Sequence, residues 1–434
     1  MISNVVVLTN ETDTFTIGDL PKISIALNAS SHKEFVRNSI YDVLAKFGAE
    51  PAGEAIDFLN IAISAYTADV RTPREQGFDR WTRNFHLHMP VQFIDKWLRA
   101  KTVLEKSLSF LTGDHWVFHF RACSKESVKP KVEKVKKIKK FKPQAVSLFS
   151  GGLDSFIGAL DLLSAKHPIA LVGHHAAGDG PTSVSQKRVF ELIEKHFDPN
   201  IVSFIPVWVS PKKQEDPFSE NTTRGRSLLF VAIGLAIASA FGTRDLYIPE
   251  NGLISLNVPL TNSRLGSFST RTTHPYFIFL VRQLLLILGI PTQLILPYRH
   301  KTKGEMVTEC REQSMMEKGL PLTMSCSHPS AGRYAGIRGM PHCGYCVPCI
   351  IRQAAIKHSR KDPTQYAYKL GGALKGRKEL DCKVFRMALN RYKAKLPTLF
   401  DILAAGPLPG TADDRINYLS VFKRGLQEVR ELLP

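Results

Sequence analysis

The stretch Ala145-Val146-Ser147-Leu148-Phe149-Ser150-Gly151-Gly152-Leu153-Asp154-Ser155 decides the fold. Its first five residues are mostly apolar and read as a short buried strand, and a helical pattern runs from Phe156 to Ala165. Between them lies a six-residue turn. Adjacent glycines let the backbone take positive φ and approach an anion with no Cβ in the way. A helix start beyond them offers unpaired N–H groups and the positive end of a dipole. The Ser150 and Ser155 hydroxyls complete a phosphate cradle whose backbone is Gly151, Gly152 and Leu153. Asp154 would be repelled by bare phosphate, so it is expected beside Mg²⁺ or as a helix cap. No Gly-Lys-Ser/Thr follows, which excludes a Walker loop.

Downstream, strand-like and helical runs alternate. Ile169–Gly173, Ile201–Val209, Asp245–Pro249 and Thr292–Leu296 read as strands. Ser185–His196, Arg226–Phe241 and Tyr276–Leu288 read as helices. This alternation predicts an α/β fold, a parallel sheet wrapped by helices, with the ligand at the carboxyl ends of the strands. Three groups fall at that edge: His174-His175 beside Asp179 and Gly180, Arg224 and Arg226 around Gly225, and Glu250-Asn251. A forked guanidinium suits phosphate or carboxylate. Asn251 suits a purine edge, and His174 a contact to nucleotide or substrate.

Upstream, residues 1–124 mix short strands (Val5–Leu8, Ile23–Leu27, Trp116–Phe120) with helical runs at Ser30–Phe47 and Val91–Phe110. This reads as an α+β accessory domain without a chemical motif. His86 and His88 share one face if they lie on a strand, and ordinary surface histidines explain them as well as a metal pair does. Residues 125–143 form a lysine-rich linker, with nine lysines against Glu126 and Glu133 between Lys125 and Lys142. The net charge of +19 calls for an anionic partner. Nucleic acid is not favoured, because Phe141 is the one aromatic in the run and bases want aromatic stacking. Hydrophobic residues make up 44% and charged residues 22%, which excludes a disordered or cysteine-framework chain. The longest apolar runs are too short to span a bilayer, and the N-terminus lacks a signal-peptide pattern, so a cytoplasmic protein is expected.

Cys343-Gly-Tyr-Cys346-Val-Pro-Cys349 places three thiols two residues apart, and Cys326 lies upstream in Ser325-Cys326-Ser327-His328. Four thiolates make a closed structural Zn²⁺ site. His328, His342 and Cys310 compete with Cys326 for the fourth position, and an iron–sulfur cluster is the other reading of the cysteines. The remaining partition is residues 144–325 as the domain of the phosphate cradle, 326–360 as the zinc segment and 361–434 as a helical C-terminal tail.

Ser150-Gly-Gly-Leu-Asp-Ser155 resembles the PP-loop of the ATP pyrophosphatase superfamily, whose fold is adenine nucleotide alpha hydrolase-like. With Ser325-Cys326 and Cys343-Gly344-x-Cys346-x-x-Cys349 behind it, the chain resembles QueC, the 7-cyano-7-deazaguanine synthase family. Gly225-Arg226-Ser227 stands where that family has Gly-Arg-Asn. The region after Asn251 does not closely reproduce the family's. The resemblance covers about residues 144 to 360. The longer layout resembles the QueC-like proteins of bacterial anti-phage operons, the QatC type of the Qat system.

The resemblance implies an ATP-dependent C–N ligase. ATP with Mg²⁺ would bind the loop, and a carboxylate like that of 7-carboxy-7-deazaguanine would become an acyl-adenylate. An amine would then give an amide or nitrile, with Asp154, Ser155 and Arg226 as the reacting-site residues. The extra N-terminal region would present a protein amine or recruit operon-encoded partners, and a chain starting near Lys142 would still bind ATP. Two other classes stand beside this: a nucleotide-binding regulatory subunit that has lost catalysis, and a tRNA-modifying PP-loop enzyme.

Overall fold

The computed structural model describes residues 2–20, 22–28, 32–128, 141–176, 178, 180–211, 220, 222, 224–260, 271–357, 360–370, 374 and 376–433. Two sheets organise them. The first holds β1 (Ile2–Leu8), β2 (Lys22–Ala26), β4 (Asn84–Val91) and β5 (His115–Ala122) in the order β2-β1-β4-β5. The second holds β6 (Ala145–Leu148), β7 (Ile169–His175), β8 (Val202–Ser210), β9 (Asp245–Tyr247) and β10 (Gln293–Ile295), with β3 (Arg37–Asn38) at one edge. Its order is β10-β9-β6-β7-β8-β3.

β6 pairs in parallel with β7 on one side and with β9 on the other. The chain therefore reverses its direction of travel across the sheet at the β6/β9 boundary, the switch point outside whose strand ends sheets of this kind form their ligand crevice. β6 and most of β7 are apolar and buried because helices cover both sheet faces. The Arg226–Phe241 helix, with Leu229, Ala232, Ile233 and Ala236 fully buried, closes one face. The Leu153–Ser164 helix closes the other with Phe156, Ile157 and Leu160.

The N-terminal region differs from its α+β expectation. Its four strands pair parallel throughout. The Thr9–Pro21 connection carries no helical period, so a parallel β1/β2 pair had no sequence signal. The Ser30–Phe47 run also differs: its helix starts at Ile40, and Arg37–Asn38 pairs antiparallel with Val209–Ser210 of β8. The open edge of β8 captures these residues, and Gly48 ends the helix at φ 62°, as its sequence position foretold. The Gly53–Arg71 helix had no assignment, since nearly every residue in it is buried and no amphipathic stripe marks it.

The N-terminal region also shares the core of the second sheet. Val5, Phe85 and Leu87 belong to the same apolar cluster as Val146, Leu148, Leu229 and Ile233. Helix Gly53–Arg71 packs on Arg226–Phe241, and Ile94–Thr112 packs on Pro275–Leu288. The lysine run from 129 to 140 lies outside the described residues. The C-terminal region contributes helices Arg377–Ala394 and Ala412–Leu432, which pack with Val347–Lys357 around Ile350, Phe385, Val421 and Phe422. No described helix is long and apolar enough to cross a membrane.

Candidate functional site

The Ser150–Ser155 loop sits directly above β6. Gly151 takes φ 78°, and a Cβ there would lie 3.0 Å from the Gln186 backbone nitrogen, so conformation and space both require glycine. Ser150 Oγ accepts the Gly152 N–H at 3.3 Å and lies 3.1 Å from Ser155 Oγ. Ser150 is exposed at the loop tip. The helix begins at Leu153, three residues earlier than its apolar pattern indicates, with Gly152 as its cap residue. Leu153 turns its side chain into the core and donates its N–H to Ser325 Oγ at 3.2 Å. Met324 N–H and Ser185 Oγ both donate to the Gly151 carbonyl, at 2.8 and 3.0 Å. Two chain segments thus clamp the loop from behind.

Asp154 is neither a helix cap nor an open metal ligand. It is 8% exposed, its Oδ1 pairs with the Lys303 ammonium, and its Oδ2 accepts both Asn251 N–H (3.1 Å) and Asn251 Nδ2 (2.6 Å). A buried carboxylate needs such compensation, and Lys303 supplies it without a cation. Mg²⁺ on Asp154 would have to displace that ammonium, so the expected Asp154–Mg²⁺ contact does not fit this arrangement. Lys303 escaped the sequence reading. Its signal was there: Thr302 and Glu305 form a capping box around it, placing the lysine in the first turn of a helix that follows β10 at the ligand edge. Glu428 of the last helix accepts from Thr302 Oγ1 and from Gly304 N–H, so the C-terminal region buttresses this lysine.

Asn251 is fully buried. Its side-chain oxygen accepts the Ile254 N–H at 3.0 Å and its amide nitrogen holds Asp154. Both of its polar groups are thus engaged within the protein, and it positions Asp154. Its neighbour Glu250 is partly exposed and accepts from Thr273 Oγ1. Burial, and then the Asp154 charge, push Glu250 up to about 7, with Lys303 opposing.

On the other side of the loop, His174 is the penultimate residue of β7. Arg226 donates from Nε to His174 Nδ1 (3.2 Å) and from Nη2 to the His174 carbonyl (3.2 Å). The arginine fork therefore grips a histidine. Burial and the Arg226 charge hold His174 well below the usual histidine range, so the ring is neutral. With Nδ1 accepting, the ring proton is on Nε2, which has no partner among the described residues although His174 is 2% exposed. A buried N–H donor without an acceptor is a place for a ligand atom. His175 turns to the Ala176 carbonyl (2.7 Å), and Asp179 lies outside the described residues. Arg224 is drawn away from the crevice. It stacks 4.9 Å over Trp81 and donates to the Thr112 carbonyl at 3.0 Å. Burial, followed by the nearby Arg74 charge, lowers it to about 10.

The turn carrying Arg226 is fixed from the N-terminal region. Asp69, at the end of helix Gly53–Arg71 and fully buried, accepts Gly225 N–H (3.1 Å) and Thr222 Oγ1 (3.0 Å) while pairing with Arg83. Arg83 in turn pairs with Asp114 at 2.7 Å.

The four thiols of Cys326, Cys343, Cys346 and Cys349 lie within 4.8 Å of one another. Cys343–Cys349 and Cys326–Cys346 sulfurs are 3.8 and 3.9 Å apart. A tetrahedral ion with metal–sulfur bonds of about 2.3 Å has edges of about 3.8 Å, so the set fits one zinc-like ion. A multi-iron cluster spreads its cysteine sulfurs wider. Backbone N–H groups of His328 and Cys343 point at Cys326 Sγ, each at 3.2 Å, and Cys346 N–H points at Cys343 Sγ at 3.3 Å. Of the four candidates, Cys326 completes the set. His342 donates from Nε2 to the Thr323 carbonyl at 2.9 Å, and Cys310 is buried in a separate core with Met306 and Val307. The histidines of the first sheet pair with each other, His86 Nδ1 lying 3.2 Å from His119 Nε2.

No family model matches the chain. It is similar to the 7-cyano-7-deazaguanine synthase of Saccharolobus solfataricus, 27% identical over 255 residues, which is 54% of this chain and 49% of that protein. It is also similar to that of Sulfolobus acidocaldarius, 24% identical over 257 residues (55% and 51%). A third relative is the 7-cyano-7-deazaguanine synthase 2 of Sulfurisphaera tokodaii, 24% identical over 254 residues (53% and 48%). The chain spans about half the length of these curated relatives.

Proposed function

We propose that this chain is a cytoplasmic PP-loop enzyme that activates a carboxylate with ATP and passes the acyl group to an amine. The observation that carries this reading is the Ser150–Ser155 loop at the β6/β9 reversal, with Lys303 buried at its mouth. The Ser150 and Ser155 hydroxyls would hold the pyrophosphate of ATP, and the Lys303 ammonium would offset its charge. Asp154 would aim that lysine. Mg²⁺ would enter complexed to ATP. The His174 Nε2–H, fixed by Arg226, would donate to the nucleotide or to the carboxylate. Fixed donors aimed at developing charge are the main lever in such a transfer. The zinc we assign to the four cysteines supplies rigidity, since four thiolates leave no open position.

The named relatives support a carboxylate like that of 7-carboxy-7-deazaguanine. It attacks the α-phosphorus of ATP and pyrophosphate leaves. An amine then displaces AMP, giving an amide and, with ammonia and a further dehydration, a nitrile. The QatC-like layout favours a protein amine and a role in anti-phage defence with operon-encoded partners.

ATP–pyrophosphate exchange with purified protein tests this. Exchange that requires 7-carboxy-7-deazaguanine is expected. Exchange requiring tRNA instead would make the chain a tRNA-modifying enzyme, and ATP binding without exchange would make it a regulatory subunit.

A further inference from the structure

We infer that Glu250 is the group that takes the proton from the attacking amine in the second half-reaction; this rests on the adenylating reading above. The placement comes first. Glu250 follows β9 and precedes Asn251, whose side chain touches Asp154 of the phosphate loop across the β6/β9 reversal. A carboxylate there stands beside the region where the acyl-adenylate would lie.

Its anchoring comes second. Glu250 Oε2 accepts from Thr273 Oγ1, and Thr273 Oγ1 lies 2.9 Å from Ser255 Oγ. The other oxygen, Oε1, has no partner among the described residues and is not sealed from solvent. One oxygen is held and one is available, which is the geometry a proton acceptor needs. Thr273 and Ser255 also form part of the wall of a cavity of about 120 Å³ with Ile278, Arg299 and Tyr418.

Its charge state comes third. Asp154 is matched by Lys303, and Asp69 and Asp114 are matched by Arg83. No salt bridge holds Glu250 among the described residues, and burial brings it to about 7. The groups that face it are Asp154 and Lys303, and the segment bearing Thr273 adds Arg271 and His274. Asp57, raised to about 6, is a poor rival. It accepts from Gln92, Phe93 and Trp97 deep in the N-terminal region and is fully buried.

The step balances. The amine lone pair forms a C–N bond to the acyl carbon, and the C–O bond to AMP breaks with its electron pair leaving on AMP. The proton released from nitrogen passes to Glu250 and then to solvent.

The test separates the two half-reactions in Glu250→Gln and Glu250→Asp, using 7-carboxy-7-deazaguanine and ammonium chloride as the probes. Glutamine keeps the Thr273 contact but cannot take a proton. In Glu250→Gln we expect ATP–pyrophosphate exchange within about twofold of the parent and amide formation down about 100-fold or more. At fixed free ammonia, amide formation by the parent rises with pH through about 7. The glutamine variant loses that inflection, and Glu250→Asp keeps it at a lower rate. Amide formation in Glu250→Gln at parental rate, or with the inflection unchanged, overturns the inference. So does a parallel loss of exchange, which would make Glu250 a positioning residue for adenylation. Absence of exchange in the parent would instead refute the adenylating reading itself.

Discussion

The Ser325 hydroxyl accepts the Leu153 N–H at 3.2 Å, so the residue beside Cys326 of the four-cysteine cluster completes the first helical turn after the Gly151-Gly152 pair. Met324 reinforces this link through its N–H to the Gly151 carbonyl, at 2.8 Å. The cysteine cluster is thereby tied to the loop over two residues of chain.

Losing the metal should therefore weaken nucleotide binding. Chelation or Cys343→Ser should release one zinc per chain and lower ATP affinity together. Ser325→Ala should keep the zinc and lose one hydrogen bond worth about 0.5–1.5 kcal/mol, roughly 2- to 10-fold in affinity. Zinc content and ATP titration on the same samples check this. Full ATP affinity in the metal-free protein would sever the proposed link.

Lys303→Met should leave Asp154 buried without its cation. Breaking a buried pair from one side costs about 3–5 kcal/mol, so the midpoint of thermal unfolding should drop sharply. Asp154→Ala does the converse to Lys303, which makes it a poor loop-specific probe. Ser155→Ala is cleaner. It should keep the unfolding midpoint within a degree or two and remove ATP-dependent turnover, as measured by scanning calorimetry and pyrophosphate release.

Arg226→Lys should not restore what Arg226→Ala loses. The arginine makes two angled contacts to His174, one to the ring and one to the carbonyl, and a lysine ammonium lacks that planar fork. Pyrophosphate exchange by the two variants should be similarly low. Full rescue by lysine would show that charge alone matters.

A chain beginning near Lys142 should not fold. It would lose the β3 edge strand, the Asp69 anchor of the Arg226 turn, and half of a continuous apolar core. The shared core argues against a separable accessory domain. Expression of the truncated chain should give aggregated protein, and a monodisperse species that binds ATP would contradict the shared-core account.

How far the sequence reached follows from these particulars. The β6–loop–helix unit, the later strands and the Arg226–Phe241 helix were legible because strand and helix periods alternate there without interruption. Cys326 was a candidate by spacing, and folding it against Cys346 chose it over His328 and His342. The partners of Lys303 and Ser325 were not legible, although the capping box around Lys303 and the Ser325-Cys326 pair were. Each lies more than 140 positions from its partner, and nothing local in a lysine or a serine announces a distant aspartate or N–H. Asp69 was hidden for the same reason, inside a helix too uniformly buried to show a face.

Acid should destabilise the protein through His274. Its Nδ1 accepts the Tyr276 N–H at 3.1 Å, it is fully buried, and burial, then Arg271, lower it to about 3. The folded state thus binds this proton more weakly than the unfolded state. The contribution is intact above pH of about 6.5 and declines below it, by about 3 kcal/mol at pH of about 4. Asp57 and Glu250 are raised and titrate in the opposite sense. His274→Asn, which preserves the acceptor, should flatten the loss between neutral and acid pH. Chemical denaturation of both proteins at several pH values measures the difference, and equal slopes would rule out His274 as the cause.

The central claim is that a substrate carboxylate attacks the α-phosphorus of ATP bound on the Ser150–Ser155 loop. The direct measurement uses 7-carboxy-7-deazaguanine labelled with ¹⁸O in its carboxylate, ATP, ammonium chloride and the purified chain, with mass spectrometry of the nucleotide products. The account predicts AMP carrying one ¹⁸O, because the bridging oxygen of the acyl-adenylate leaves with AMP. Unlabelled AMP, or label in inorganic phosphate alongside ADP, would contradict it.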